Sequence, residues 1–272
     1  MCIITIQRGT KSGGEALAEC LAKHLNYPML GREVLQGAAA QLGVPAEDIG
    51  EKMEDLPGRF GRTPLITKLY VAAVRAALAE HAREGKLVYH GLAGGFLLRS
   101  LPGVMKVRLI APLELRVRAL MASHGMDEIS AAAYIQDVDD GRARWVKNVY
   151  GQDILDSTQY DMVLNLASFS IPEACEVVVS AASRPEFAMT PTRMKELEDF
   201  RLACQVRLAL LEDLGTQTLN LDAGVTDKVA LVTGEAPLLN TGEVEKRITE
   251  IAASVPGVEE VRLAIDWYDP YP

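Results

Sequence analysis

The sequence predicts an α/β protein: a mostly parallel sheet covered by helices on both faces, followed by a small α+β unit. Three observations carry this reading. Short β-branched or apolar runs alternate with longer segments of helical periodicity from Ile3 to Ala182, the grammar of strands joined by crossover helices. A glycine-bearing loop links the first run to the first helical segment in "ITIQRGTKSGGEAL", residues 4 to 17. Past a proline-bearing stretch the order changes to a long helix, two strands, a helix and a strand.

The elements follow in order. Ile3 to Ile6 is a buried strand, and Gly14 to Leu25 is a helix with Leu17, Ala18, Leu21, Ala22 and Leu25 on one face. After Tyr27-Pro28, Arg32 to Leu42 is a second helix and Thr63 to Glu84 a third, leading to the strand Lys86 to His90. Gly91, Gly94 and Gly95 form a turn before the strand Val104 to Ile110. Helices at Leu113 to Ser123 and Ile129 to Tyr150 precede the apolar strand Met162 to Leu166, and a helix from about Pro172 closes the series. Residues 184–195 hold two prolines with few large apolar residues and read as a linker between units 1–183 and 196–272. The second unit predicts a helix at Arg193 to Asp213, strands at Thr218 to Asp222 and Lys228 to Thr233, a helix at Gly242 to Val255 and a strand at Val258 to Asp266. In that last strand Val261, Leu263 and Ile265 alternate with Arg262, Ala264 and Asp266, so one face of its sheet is solvated.

The 272 residues are 49% hydrophobic and 24% charged, with a mean hydropathy of +0.07, a profile that folds and excludes disorder. A net charge of -9 excludes non-specific nucleic-acid binding, which needs surplus Lys and Arg. Cys2, Cys20, Cys175 and Cys204 show no paired spacing and are expected as reduced, buried thiols. His24, His81, His90 and His124 form no metal spacing, so no metal site is expected. Without a leader pattern or an apolar run of membrane length, the expectation is a cytoplasmic protein.

Loop amides between a strand and a helix N-terminus suit a phosphate, and Gly13 and Gly14 permit close approach. The Lys-[Ser/Thr] pair that completes a phosphate-binding loop does not follow Gly13. The N-terminal part resembles the cytidylate kinase-like family, whose opening stretch is echoed by Ile4, Thr5, Ile6, Arg8, Ser12, Gly13 and Gly14. "YPMLGREVL" from Tyr27, "LVYHGLAGGFLL" from Leu87, "DGRARWVKNVYG" from Asp140 and "YDMVLN" from Tyr160 resemble further segments of that family, in the same order. The resemblance covers residues 1 to 182 and implies a P-loop NTPase-like fold, a nucleotide ligand, and ATP with Mg2+.

The departures bear on activity. Gly14 stands at the position of the phosphate-binding lysine, Glu15 and Ala16 where a magnesium-binding hydroxyl would come, Gly31 where the family often has Asp, and Leu92 where it often has Arg. Phosphoryl transfer depends on charge placed around the phosphoryl oxygens, so each loss matters. Lys11, which replaces a loop glycine, either bends inward as a substitute charge or faces solvent. Glu15 either holds magnesium or complements the helix dipole. By resemblance, phosphate and nucleotide contacts fall on Arg8, Gly9, Thr10, Ser12, Gly13, Gly14, Arg32, Gly91 and Arg116, and catalytic charge on Lys11, Arg142, Arg144 and Lys147, because guanidinium forks grip phosphate. The alternative for Arg142, Arg144 and Lys147 is a solvated helix face paired with Asp137, Asp139 and Asp140. Asp161 and Asn165 either orient loops near the site or cap local backbone.

Residues 196 to 266 resemble a BON domain through "VALVTGEA" from Val229 and "IAASVPGVEEVRLAI" from Ile251. That resemblance implies contact with a lipid surface or another ligand, although this acidic unit lacks a basic face. The combined reading is a regulatory nucleotide-binding protein with little or no phosphotransfer. An active nucleoside monophosphate kinase and an interaction scaffold with an empty site are the alternatives, and the acceptor and any protein partner stay open.

Overall fold

A computed structural model of the chain describes residues 1–54 and 64–269. In chain order the elements are β1 (Ile3–Arg8), α1 (Gly14–Leu25), β2 (Met29–Leu30), α2 (Val34–Leu42), α3 (Ala46–Glu54), α4 (Leu65–Ala82), β3 (Leu87–Tyr89), α5 (Gly94–Leu97), β4 (Val104–Ile110), α6 (Leu113–His124), α7 (Glu128–Tyr150), β5 (Met162–Asn165), α8 (Ile171–Ala182), α9 (Pro191–Glu212), β6 (Asn220–Thr226), β7 (Val229–Pro237), α10 (Thr241–Ser254) and β8 (Glu260–Tyr268). Among these, β2, α3 and the short α5 were not expected from periodicity, and the expected start of the third helix at Thr63 lies outside the described residues.

The first sheet has the order β2-β3-β1-β4-β5, with every pairing parallel. β1 is central and almost wholly buried, because both its faces are covered. Ile4 and Ile6 join Leu17, Leu21, Ala174 and Val178 in a core beneath α1 and α8. Ile3 points the other way, into a core with α2, α4 and α9 that also holds Tyr89, Leu78 and Trp145. Layered this way, the C-terminal ends of β1, β3 and β4 open on one edge, where parallel sheets place ligands. α6 and the N-terminal part of α7 form a hairpin with its own small cluster of Val117, Leu120, Ala131 and Ile135, while Trp145 and Val146 at the other end of α7 join the core with α2, α4 and α9. Asp127 caps α7 by accepting from the Ser130 amide at 3.0 Å.

The cysteine reading requires correction. Cys20 of α1 and Cys175 of α8 are joined in a disulfide, while Cys2 and Cys204 are free and buried. Sequence spacing could not reveal this, since the two residues are 155 apart and only helix packing brings them together.

The second sheet has the order β6-β7-β8, with β6-β7 antiparallel and β7-β8 parallel. β6 and β7 both extend beyond the expected strands. They meet at Asp227 and Lys228, both with positive φ (52° and 64°), the backbone of a tight hairpin turn. The Asp199 carboxylate of α9 accepts from both turn amides, at 3.0 and 3.2 Å. Residues 184–195 hold a one-turn 3-10 helix at Pro185–Phe187 and the first residues of α9, with Met189 buried in the first core.

α9 belongs to two cores at once. Leu197, Phe200, Cys204, Leu208 and Leu211 pack on the large sheet's side, and Leu202, Val206 and Leu210 pack under the second sheet. Spacings of three and four within each set place two apolar stripes on one helix. No helix among the described residues is long and apolar enough to cross a membrane.

Candidate functional site

The loop after β1 is built for a close turn. Lys11 adopts φ 57°, in the left-handed region, which fits a residue standing at a glycine's position, and Gly13 follows at 79°. Ser12 is buried and spends its hydroxyl on the loop, donating to Gly9 O at 2.7 Å. Buried and turned onto its own loop, the hydroxyl is not placed to reach a ligand outside it. A Cβ at Gly13 would come within 3.0 Å of Leu166 and Ile171, so the residue after β5 and the start of α8 hold the loop from behind.

Gly14 explains the missing lysine in steric terms. A Cβ there would lie 2.7 Å from the Arg8 Cδ and 2.8 Å from its Cγ, so the Arg8 stem fills the space that a side chain at position 14 would need. The Arg8 guanidinium is held down to about 10, chiefly by burial and then by the like charges of Arg142 and Arg32, with Tyr89 and Asp139 opposing. Arg8 forms no ion pair among the described residues. Three guanidiniums therefore converge near the C-terminal end of β1, in surroundings that disfavour positive charge.

The other walls come from β3 and the residues after β2. A Cβ at Gly31 would meet His90 Nε2 at 2.6 Å, so the imidazole occupies the room that an Asp at position 31 would take. His90 Nδ1 is buried without a hydrogen-bond partner among the described residues, and burial followed by Arg8 pushes the imidazole's pKa down. Glu33 accepts from the Gly31 amide at 2.7 Å, and backbone hydrogen bonds hold its carboxyl below the usual range. A Cβ at Gly91 would overlap the Tyr89 phenol ring; that phenol donates to Leu92 O at 3.3 Å. Burial pushes the Tyr89 phenol up.

Asp139 of α7 closes the site. It accepts from the Thr10 amide and the Thr10 hydroxyl, each at 2.8 Å, and pairs with Arg116 of α6. Arg142 lies 3.8 Å from it and also donates to the Thr10 hydroxyl at 3.1 Å. Arg116 Nε donates to Thr10 O at 2.8 Å, and its guanidinium sits 3.2 Å from where a Gly9 Cβ would be. One carboxylate thus receives the loop amide, hydroxyl and guanidinium contacts that suit a phosphate.

The structure accordingly brings together Arg8, Gly9, Thr10, Arg116 and Arg142, with Arg32 and Gly91 at the margin. It does not bring Arg144 and Lys147 to them: both are exposed, on faces of α7 turned away from Arg142. Lys11 is exposed. Arg118 is exposed and donates to Glu114 O at 3.4 Å. Asp161 lies at the other end of the sheet, accepting from the Lys106 amide at 2.7 Å, and Asn165 accepts from the Ala167 amide at 3.0 Å, so both serve local backbone. A depression of about 490 Å³ bordered by Arg99, Lys106 and Asp161 lies at that opposite end too. The Asp139-x-x-Arg142 spacing, which puts the two on one helix turn, is the sequence signal that points to Asp139.

A parallel sheet whose central strand runs through a tight glycine-bearing loop into a helix has a P-loop kinase-like fold. Residues 3–168 match the cytidylate kinase-like family, and the chain belongs to it. It is similar to the cytidylate kinase of Methanopyrus kandleri, 26% identical over 189 residues that cover 66% of this chain and 92% of that protein. The cytidylate kinase of Methanoculleus marisnigri is 28% identical over 180 residues, covering 66% and 92%. Among solved structures, an uncharacterized protein from Eubacterium ventriosum superposes with a TM-score of 0.53 at 19% identity, covering 67% of this chain and 99% of that one.

Proposed function

We propose that the chain binds the phosphate of a nucleotide between the residue 9–13 loop and Arg8, Arg32, Arg116 and Arg142, and that it carries out little or no phosphotransfer. One observation supports this above the rest: Arg8 is a half-buried cation without an ion pair among the described residues, its stem lying in the place of the missing lysine side chain. A half-buried, uncompensated guanidinium is unfavourable until an anion joins it. The low transfer follows from the inward Ser12 hydroxyl and from the absence of a hydroxyl at residues 15 and 16. ATP and Mg2+ are the proposed ligands, as the family resemblance implies.

A second reading is favoured by the same residue. Arg8 could supply the charge of the absent lysine, making the chain an active kinase for cytidylate, the activity that the relatives' name carries. Calorimetric titration with ADP and CMP, with and without magnesium, tests binding, and radiolabelled transfer from ATP to CMP tests catalysis. Saturable binding that Arg8→Ala weakens by about tenfold or more, as loss of a charged hydrogen-bonding partner entails, supports the proposal. Absence of binding sinks both readings, and transfer abolished by Arg8→Ala establishes the kinase.

For the rest of the chain we propose a second unit at residues 196–272 of BON-like type. The order helix, two strands, helix, strand supports it, and a contact with a lipid surface belongs to the same proposal.

A further inference from the structure

We propose that Cys20, His24 and Cys175 form a thiol–disulfide exchange site that takes low-molecular-weight disulfides and thiols. It is separate from the phosphate site and does not depend on that reading. The three residues come from α1 and α8. Their sulfur and nitrogen atoms all lie within 4.8 Å of one another. Cys20 is half-buried, His24 exposed and Cys175 fully buried, so an external thiol reaches one sulfur of the pair and not the other. Such asymmetry gives exchange a direction, with Cys20 as the entry atom and Cys175 as the resolving one.

His24 sets the chemistry. Its Nδ1 lies 3.2 Å from the Cys20 carbonyl oxygen, 3.7 Å from Cys20 Sγ and 3.8 Å from Cys175 Sγ. A carbonyl oxygen only accepts, so Nδ1 carries the hydrogen and the same N–H faces both sulfurs. In reduction, an external thiolate attacks Cys20 Sγ, the Cys20–Cys175 bond breaks, and its electron pair goes to Cys175 Sγ. The His24 Nδ1–H is placed to hydrogen-bond the thiolate formed. A second external thiolate attacks its partner sulfur in the mixed disulfide and releases Cys20. Oxidation runs in reverse: one small disulfide is consumed, two small thiols leave, and the chain gives up two hydrogens.

The test uses the full chain, reduced with dithiothreitol, desalted, and exposed to oxidised glutathione, followed by intact mass and peptide mapping. The expected product is lighter by two hydrogens with Cys20 linked to Cys175, and Cys2 and Cys204 still free. Cys175→Ser is expected to stop at a stable glutathione adduct on Cys20, because the resolving thiol is gone. Cys20→Ser, at the half-buried position, is expected to give neither adduct nor bond. His24→Gln is expected to slow exchange about tenfold, the loss of one hydrogen bond to a charged sulfur. Wild-type chain that keeps both thiols, or an adduct that forms at Cys2 or Cys204 in place of Cys20, overturns the proposal. An unchanged rate in His24→Gln removes His24 from it.

Discussion

At the scale of single residues, the phosphate loop shows how one substitution is absorbed by its neighbour. Gly14 and Arg8 are a matched pair: the glycine leaves room, and the arginine stem takes it. Gly14→Lys, which restores the usual lysine, is therefore expected to lower stability by about 1–3 kcal/mol through overpacking. Gly14→Lys combined with Arg8→Ala is expected to recover most of that loss. Chemical denaturation of the two variants checks it, and an additive double mutant would sink the pairing. Asp139 carries a second expectation. It receives contacts that a phosphate would use, so Asp139→Asn is expected to raise ADP affinity about tenfold, or 1.4 kcal/mol. A fall in affinity on calorimetric titration would show instead that the carboxylate belongs to the bound state. In the sequence, the loop, Arg8 and Arg142 were legible because glycines and arginines are chemically conspicuous. The filling of position 14 by Arg8, and the pairing of Asp139 with Thr10 across 129 residues, were not legible, because they depend on how β1 and α7 meet in space.

At the scale of elements, the end of α9 is tied to α10 through Asp213. This carboxylate accepts from Arg247 at 2.7 and 2.6 Å and from the Gly215 amide at 2.9 Å. The Arg247 hydrogen bonds are the main cause that pulls its pKa from 3.8 to about 2. A depressed carboxyl stabilises the fold fully above its unfolded value, and that contribution disappears as pH falls from about 4 towards 2. Arg247 is 51% exposed, so solvent screening keeps the contribution small. Asp213→Asn is expected to lose this at neutral pH and to show a flatter stability profile between about pH 4 and 2. Urea midpoints measured across that range decide it, and an unchanged slope counts against the linkage. The elements were mostly foreseeable from period and punctuation. β6 was not read in full, because Gly224 and the Asp227-Lys228 turn obscure where the strand ends and the turn begins.

At the scale of the whole molecule, α9 makes two cores interdependent. Leu208 is fully buried against the large sheet's helices and Val206 is fully buried under the second sheet, although both lie on the same helix. Truncating either to Ala is expected to cost about 2–5 kcal/mol for Leu208 and somewhat less for the smaller Val206. Both variants are expected to unfold in one transition that far-ultraviolet dichroism and tryptophan fluorescence report together. Two separate transitions would show that the cores are independent.

The same shared helix orders events during synthesis. A nascent chain that has emerged only as far as residue 183 carries β1 to β5 and the helices around them, yet lacks Leu197, Phe200, Cys204, Leu208 and Leu211 from its own core. The apolar side of α4 then stays open until roughly thirty more residues are made, a delay on the order of seconds at ordinary elongation rates. The kinase-like unit is in this sense finished by the segment that follows it, and the interval before completion is when the nascent chain is most exposed to chaperones and to its neighbours.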